Sequence, residues 1–220
     1  MLELLEIATG PAPRLSVIWL HGLGADGHDF EPIVPELGLT FAARFVFPHA
    51  PVRPVTINGG MAMRAWYDIL GVDRSAAEDA AGIRASAAAV TELIDSEVER
   101  GMRAERIVLA GFSQGGAIAL QTALREPRQL GGVLALSTYL PLASTLAAER
   151  SAANAGVPIF MAHGTADNVL PLTLGESSRR ALEALGYRVE WHAYPMPHSV
   201  CLDEIVEIGA WLTARTAQNP

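Results

Sequence analysis

The chain has 220 residues, half of them apolar, and a net charge of −8. That length suits one domain with a full core, the apolar share excludes a disordered chain, and the acidic balance leaves no overall basic footprint for nucleic acid. All 16 basic residues are arginine, and Cys201 is the single cysteine, so no intramolecular disulfide can form. The first seven residues are acidic and lack a basic n-region, which argues against a signal peptide. Residues 129–148 carry no charge, yet Gly131, Gly132, Ser137, Thr138 and Pro141 interrupt them. They read as buried strand plus loop rather than a spanning helix. The expectation is a cytoplasmic protein with no stable membrane insertion.

Strand and helix patterns alternate with no repeat or linker. They predict a single domain over 1–220, of α/β class, with a mostly parallel central sheet flanked by helices. Residues 2–8 predict an edge strand and Leu15–Leu20 a buried one, leading into the loop His21-Gly-Leu-Gly-Ala-Asp-Gly27. A short helix is expected over 29–38, interrupted by Pro32 and Pro35. Residues 44–47 form the next strand. Residues 48–70, with their prolines, the Asn58-Gly59-Gly60 turn and the Trp66-Tyr67 pair, read as a long irregular excursion of the kind that carries function. Ser75 and Glu78 have capping-box spacing, and Ile83, Ala87, Val90, Ile94 and Val98 then recur on one helical face up to Gly101. A strand at 107–110 and a helix at 116–124 follow, the helix stopped before Pro127. Strands are expected at 132–136 and 157–161, with a short helix at 142–150 between them. A helix at 173–185 with Leu174, Ala181, Leu182 and Leu185 inward comes next. A strand at 187–194 and a helix at about 203–215, with Ile205, Ile208 and Leu212 buried, close the chain.

Gly111-Phe-Ser113-Gln-Gly115 lies between strand and helix patterns and has the form G-x-S-x-G. A serine there stands on a sharp corner with its hydroxyl pushed out of the sheet edge. The residues two before and two after must lack bulk, because strand and helix nearly touch; Gly111 and Gly115 meet that need. A glycine-rich turn that merely packs tightly is the bland alternative. A serine hydroxyl is a weak nucleophile at neutral pH and needs a base, which in turn needs an orienting carboxylate. In parallel sheets such groups gather on loops past the carboxyl ends of strands. The loop after 157–161 offers His163 and Asp167, and the loop after 187–194 offers His198. The order Ser113, Asp167, His198 is that of α/β-hydrolases. Ser113 is assigned as nucleophile, His198 as general base and then acid, and Asp167 as the carboxylate that fixes the imidazole. His163, at the strand end, is read as packing or bonding the loop, and Asp203 as a first-turn helix carboxylate. The oxyanion donors are the backbone N–H groups of Gln114 and, from the glycine-flanked early loop, Leu23. His21 and His28 lack the companions a metal site needs, so no metal or cofactor is expected.

The blocks LHGLGADG (20–27), FPHAP (47–51), AWYDI (65–69), GFSQGG (111–116), LSTYLP (136–141), HGTADNVLP (163–171) and PHSV (197–200) run in order across nearly the whole chain. Together they resemble the carboxylesterase/acyl-protein thioesterase family of small α/β-hydrolases. The resemblance implies a cofactor-free serine hydrolase acting on carboxylic esters and often thioesters, and it supports the same five site residues. Pro197, where many members have glycine, predicts a stiffer histidine loop. The resemblance also gives 48–70 a role: short β pieces lining the acyl side of the cleft. Trp66, Ile69, Leu70, Leu140, Val169 and Leu170 are the candidate wall. The interval 137–156 is too short for a large cap domain. The substrate expected is a small-molecule ester or thioester. The first choice is a short- to medium-chain carboxylic ester, with acyl-protein thioesters and lysophospholipids as alternatives. A non-catalytic binding module on the same fold is the reading from a different class. Apolar surface loops and the resemblance leave a homodimer open.

Overall fold

Every residue of Leu15–Leu20 is buried, although its sequence shows no alternation of apolar and polar positions. Such a strand belongs in a sheet covered on both faces. The computed structural model, which describes residues 2–71 and 77–217, has that sheet. Leu4–Ala8 (β1), Leu15–Leu20 (β2) and Ala43–Pro48 (β3) open it, and Val52–Val55 (β4) and Met61–Arg64 (β5) form a separate antiparallel hairpin. Then come Ala80–Glu99 (α1), Ile107–Phe112 (β6), Gln114–Ala123 (α2), Gly132–Leu136 (β7) and Ala143–Glu149 (α3). Ile159–Gly164 (β8), Leu172–Ala184 (α4), Val189–Tyr194 (β9) and Leu202–Ala217 (α5) complete the order. The strands lie in the sequence β1-β3-β2-β6-β7-β8-β9. Only the edge strand β1 runs antiparallel to its neighbour.

The period of two is visible in what each side chain meets. Ile18, Leu20, Ile107 and Leu109 pack with Ile83, Val90, Ala117, Leu120, Leu146 and Leu182, from α1 to α4. Val17, Trp19, Val108 and Ala110 pack on the opposite face with Phe30, Leu37, Ile205, Ile208 and Trp211. The architecture is a three-layer α/β arrangement with helices on both faces of the sheet, and between β7 and β8 the chain makes only α3 and a 3-10 turn at Ala152–Asn154. Among the described residues no helix is long and apolar enough to cross a membrane.

Several boundaries differ from expectation for identifiable reasons. The helix expected at 29–38 is two 3-10 turns, Glu31–Ile33 and Pro35–Leu37, each with a proline at its start. Strand β8 begins at Ile159 rather than 157, because Pro158 has no N–H to give the ladder. Ser75 lies outside the described residues; the cap of α1 is Asp79, whose carboxylate accepts from Gly82 N–H at 2.9 Å. Val98 is exposed, but Ile83, Val90 and Ile94 are buried as expected; Leu93 and the polar Ser86 and Glu97 complete the buried face of α1. Those polar positions were invisible to an apolar period. Ser86 donates to Trp66 O, and Glu97 accepts from Ser16 Oγ at 2.7 Å.

Candidate active site

The turn at Ser113 is tight enough to dictate its neighbours. A Cβ on Gly111 would stand 2.3 Å from Gly115 C, and one on Gly115 would stand 2.3 Å from Leu20 O. Glycine is therefore needed at both positions. Ser113 itself sits at φ 54°, ψ −120°, a conformation costly for any residue with a side chain. The surroundings hold it there: its N–H donates to Leu136 O at 2.8 Å, and its carbonyl accepts from Thr138 Oγ1 at 2.6 Å.

The loops after β8 and β9 bring the other two residues to this corner. His198 Nε2 lies 2.9 Å from Ser113 Oγ, and His198 Nδ1 lies 2.6 Å from Asp167 Oδ2. A carboxylate can only accept, so Nδ1 carries the proton and Nε2 is left bare for the serine O–H. Asp167 Oδ1 accepts from the N–H groups of Val169 and Leu170, both at 2.8 Å, which fixes the carboxylate from its far side. The two loops are tied together by Thr165 N–H to Tyr194 O and Ala166 N–H to Met196 O. Pro197 leaves His198 in reach of both partners, and its carbonyl accepts from Ser199 N–H at 2.9 Å. Asp203 lies in the first turn of α5. His163 bonds the loop, as its strand-end place suggested: Nε2 donates to Leu170 O at 2.7 Å, and the buried ring stacks on Trp191.

The early loop lies against the serine. A Cβ on Gly22 would stand 3.6 Å from Ser113 Cβ and 3.3 Å from the Phe112 ring. The loop is pinned by Gly24 N–H to Arg64 O on β5. Leu23 N–H makes no hydrogen bond among the described residues. Gln114 is the first residue of α2, so its N–H has no intrahelical acceptor.

Three further side chains hold the site together. His21 is buried, with Nδ1 donating to Gly22 O at 2.7 Å and Nε2 accepting from Ala50 N–H at 3.0 Å. Burial pulls its pKa down to about 4, so the ring is a neutral pin for the glycine loop. Phe112 packs on His198: its ring lies 4.7 Å from the imidazole and continues through Phe30 to Trp19. The Gln114 side chain spans two segments, with Oε1 accepting from Trp66 N–H and Nε2 donating to Tyr67 O. A histidine before Gly22 and an aromatic before Ser113 were the only signals available, and neither implies a partner.

The candidate wall divides. Trp66 is fully buried, its indole N–H donating to His21 O at 2.9 Å, and Leu140 is 6 % exposed. Trp66 thus packs in the core with its indole N–H satisfied, and Leu140 packs in the same core with a small exposed edge. Ile69 packs partly against the same core. Leu70 and Val169 are exposed at 45 % and 65 %, and Leu170 is half-buried beside Asp167.

The model of the family described as phospholipase/carboxylesterase matches residues 6–215. Acyl-protein thioesterase 1 of Neurospora crassa is 43 % identical over 211 residues, covering 91 % of this chain and 86 % of that protein. Its counterpart from Cryptococcus neoformans is 38 % identical and covers 96 % of each. Among solved structures, Arabidopsis thaliana SOBER1 superposes with a TM-score of 0.87 at 32 % identity, over 91 % of this chain and 98 % of that one. Zea mays acyl-protein thioesterase 2 superposes with a TM-score of 0.85 at 30 % identity, over 96 % and 99 %. With likeness of this extent in sequence and in fold, the chain is a hydrolase and belongs to the phospholipase/carboxylesterase family of α/β-hydrolases.

Proposed function

We propose that this hydrolase is a serine acyl-protein thioesterase working through an acyl-enzyme. The observation that carries the serine mechanism is the 2.9 Å contact of His198 Nε2 with Ser113 Oγ, backed by Asp167. Ser113 Oγ attacks the thioester carbonyl carbon while its proton passes to His198 Nε2. Asp167 holds the imidazole in the tautomer that can receive it and stabilises the imidazolium. The negative charge moves to the carbonyl oxygen, between the N–H groups of Leu23 and Gln114. Collapse breaks the C–S bond, and the thiol leaves with the proton from His198. Water then attacks the acyl-serine with His198 again as base, releasing the acid and restoring Ser113. Exposed Leu70 and Val169 suit the acyl chain.

Preference for a protein thioester over a small ester rests on relatives at 38 % and 43 % identity that bear the thioesterase name. The short- to medium-chain carboxylic ester, first choice from sequence, becomes the second reading; the family's own description still includes it. A cytoplasmic setting goes with this proposal, since acylated cysteines exposed to the cytosol are the substrates it implies. The test is a turnover panel on the purified chain: an S-palmitoyl peptide, p-nitrophenyl esters and a lysophospholipid. The thioester is expected to give the highest kcat/KM, and Ser113→Ala is expected to lose all three activities and fluorophosphonate labelling. A panel led by the short esters would transfer the assignment to the second reading. Labelling that survives in the alanine variant would remove Ser113 from the mechanism.

A further inference from the structure

The reaction centre lies beyond the carboxyl ends of the strands. At their amino ends, around the starts of β2, β3 and β6, is a cluster of different chemistry. Arg44, Arg100, Arg103 and Arg106 line a recess of about 350 Å³, together with Ala12, Pro13 and Gly101. A quarter of the chain's 16 basic residues thus face one concavity, in a molecule whose net charge is −8.

The cluster is built rather than incidental. Glu97, 2 % exposed, accepts from Ser16 Oγ at 2.7 Å, from Arg44 Nη1 at 3.3 Å and from Arg100 Nη1 at 3.2 Å. This buried carboxylate engages Nη1 of each guanidinium and ties together two of the arginines that line the recess. Arg100 Nη1 also donates to Glu6. Arg106 Nη1 donates to Arg14 O at 3.2 Å, which brings a fifth arginine's backbone to the rim. The Arg103 side chain is 60 % exposed, and among the described residues its guanidinium pairs with Glu105 alone, at 3.5 Å through Nε. Ala12 and Pro13 also line the recess; prolines flank Ala12 on both sides, and it is held at φ 52°. Strain of that kind, in a residue with a side chain, persists where the surroundings over-determine it and is common at ligand clamps.

We propose that this recess binds a small phosphate-type polyanion, at a site separate from the acyl-transfer centre. Guanidinium forks match phosphate oxygens two at a time, and several converging forks favour an anion with more than one phosphoryl group. A concave site focuses its own field even in an acidic molecule. An anionic bilayer is the poorer occupant: it would have to approach a chain of net −8, and its flat surface cannot enter a recess.

Inorganic pyrophosphate is the probe, titrated calorimetrically into the full chain at low ionic strength. One site is expected, weakening as salt is added. Arg103→Gln, which among the described residues breaks only the ion pair to Glu105, is expected to weaken binding about tenfold, as loss of a charge-assisted contact does. Glu105→Gln, which removes the carboxylate beside Arg103, is expected to tighten it. Ester turnover of both variants should stay at the wild-type value, which certifies the fold and separates this site from the reaction. Co-sedimentation with phosphatidylcholine vesicles carrying phosphatidic acid forms the second arm. No pyrophosphate heat at millimolar concentration, or affinity indifferent to both substitutions, overturns the proposal. So does vesicle capture that depends on Arg103 while free pyrophosphate fails to bind, because the site would then read a lipid surface.

Discussion

Gln114 and Trp66 are joined by a 2.7 Å hydrogen bond from the Trp66 backbone N–H to the Gln114 side-chain oxygen, 48 residues apart in sequence. The same amide donates to Tyr67 O at 2.7 Å, so the residue after the serine clamps the excursion over 48–70 to the elbow. Gln114→Ala keeps the backbone N–H proposed as an oxyanion donor and loses both buried side-chain bonds. The expected outcome is a loss of about 1–3 kcal/mol in stability, for the polar groups left unpaired. The fall in kcat should stay far below the roughly 10³ of a lost oxyanion donor. Chemical denaturation and steady-state kinetics on one variant check both halves.

Ser113 holds a conformation that its own side chain disfavours. Ser113→Gly should therefore raise stability by about 1–3 kcal/mol while removing the proposed nucleophile. Ser113→Ala should lose activity, on the order of 10⁶ in kcat, without that gain. Equal stability of the two variants in denaturant would mean that the corner is unstrained.

Asp167→Asn should fold normally and lose about 10⁴ in kcat. An amide in place of Oδ2 favours the histidine tautomer that cannot accept the serine proton. His163→Phe probes the outer support of the same carboxylate. The phenyl ring keeps the stack on Trp191 but loses the bond to Leu170 O, and Leu170 N–H is one of the two donors to Asp167 Oδ1. A loss of about tenfold in kcat with little change in KM is expected, the scale of one hydrogen bond acting through a neighbour. A kcat unchanged by His163→Phe would show that the loop holds Asp167 without it.

Two buried groups set opposite limits on stability with pH. Burial lowers His21 from 6.5 to about 4. Between those values the unfolded chain takes up a proton that the folded chain refuses, so stability falls as pH drops, by roughly 3 kcal/mol from this group. Burial raises Glu204 from 4.5 to about 8, with Glu207 adding to the shift and the Cys201 N–H opposing it. Here the folded state holds the proton longer, so stability falls as pH rises through that window, by several kcal/mol at most. Glu204→Gln should thus stabilise the protein at pH 9 and change little at pH 4.5. Denaturant midpoints of the two proteins across this range measure the difference; parallel curves would contradict it.

What the sequence revealed and what it hid divide along physical lines. The corner at Ser113 was legible because a steric rule acts on residues within one turn: Gly111 and Gly115 must be small, and a pattern can show it. The sheet was legible because burial on both faces leaves near-continuous apolar runs such as 17–20 and 132–136. Trp66 was misplaced because a tryptophan beside a functional loop looks the same in sequence whether it faces ligand or core. Its indole N–H meets His21 O, 45 residues away, and no local signal encodes that. The clamp of Gln114 and the packing of Phe112 on His198 were hidden for the same reason. The buried Glu97 fell outside the apolar period of α1, because its compensation by Ser16 and Arg44 comes from other strands.

A lipase that works on aggregated lipid covers its serine with a mobile helical lid, and its rate jumps when substrate passes from monomers to micelles. Here the segment between β7 and β8 holds only the seven-residue α3 and a 3-10 turn. The excursion over 48–70 is the β4–β5 hairpin with a 3-10 turn at Thr56–Asn58, and Arg64 O pins it to the Gly24 loop. A hairpin held by its own ladder and by Gln114 is an extended wall rather than a hinged helix. The His198 side chain keeps 15 % of its surface, and Ser113 is also partly exposed, so both are open to solvent as the chain stands. Initial rate against concentration of a single p-nitrophenyl ester should therefore follow a smooth saturation curve across the solubility limit. Negligible turnover of monomers followed by a sharp rise at that limit would require a lid, and the β4–β5 hairpin would be the segment to tether by a disulfide and retest.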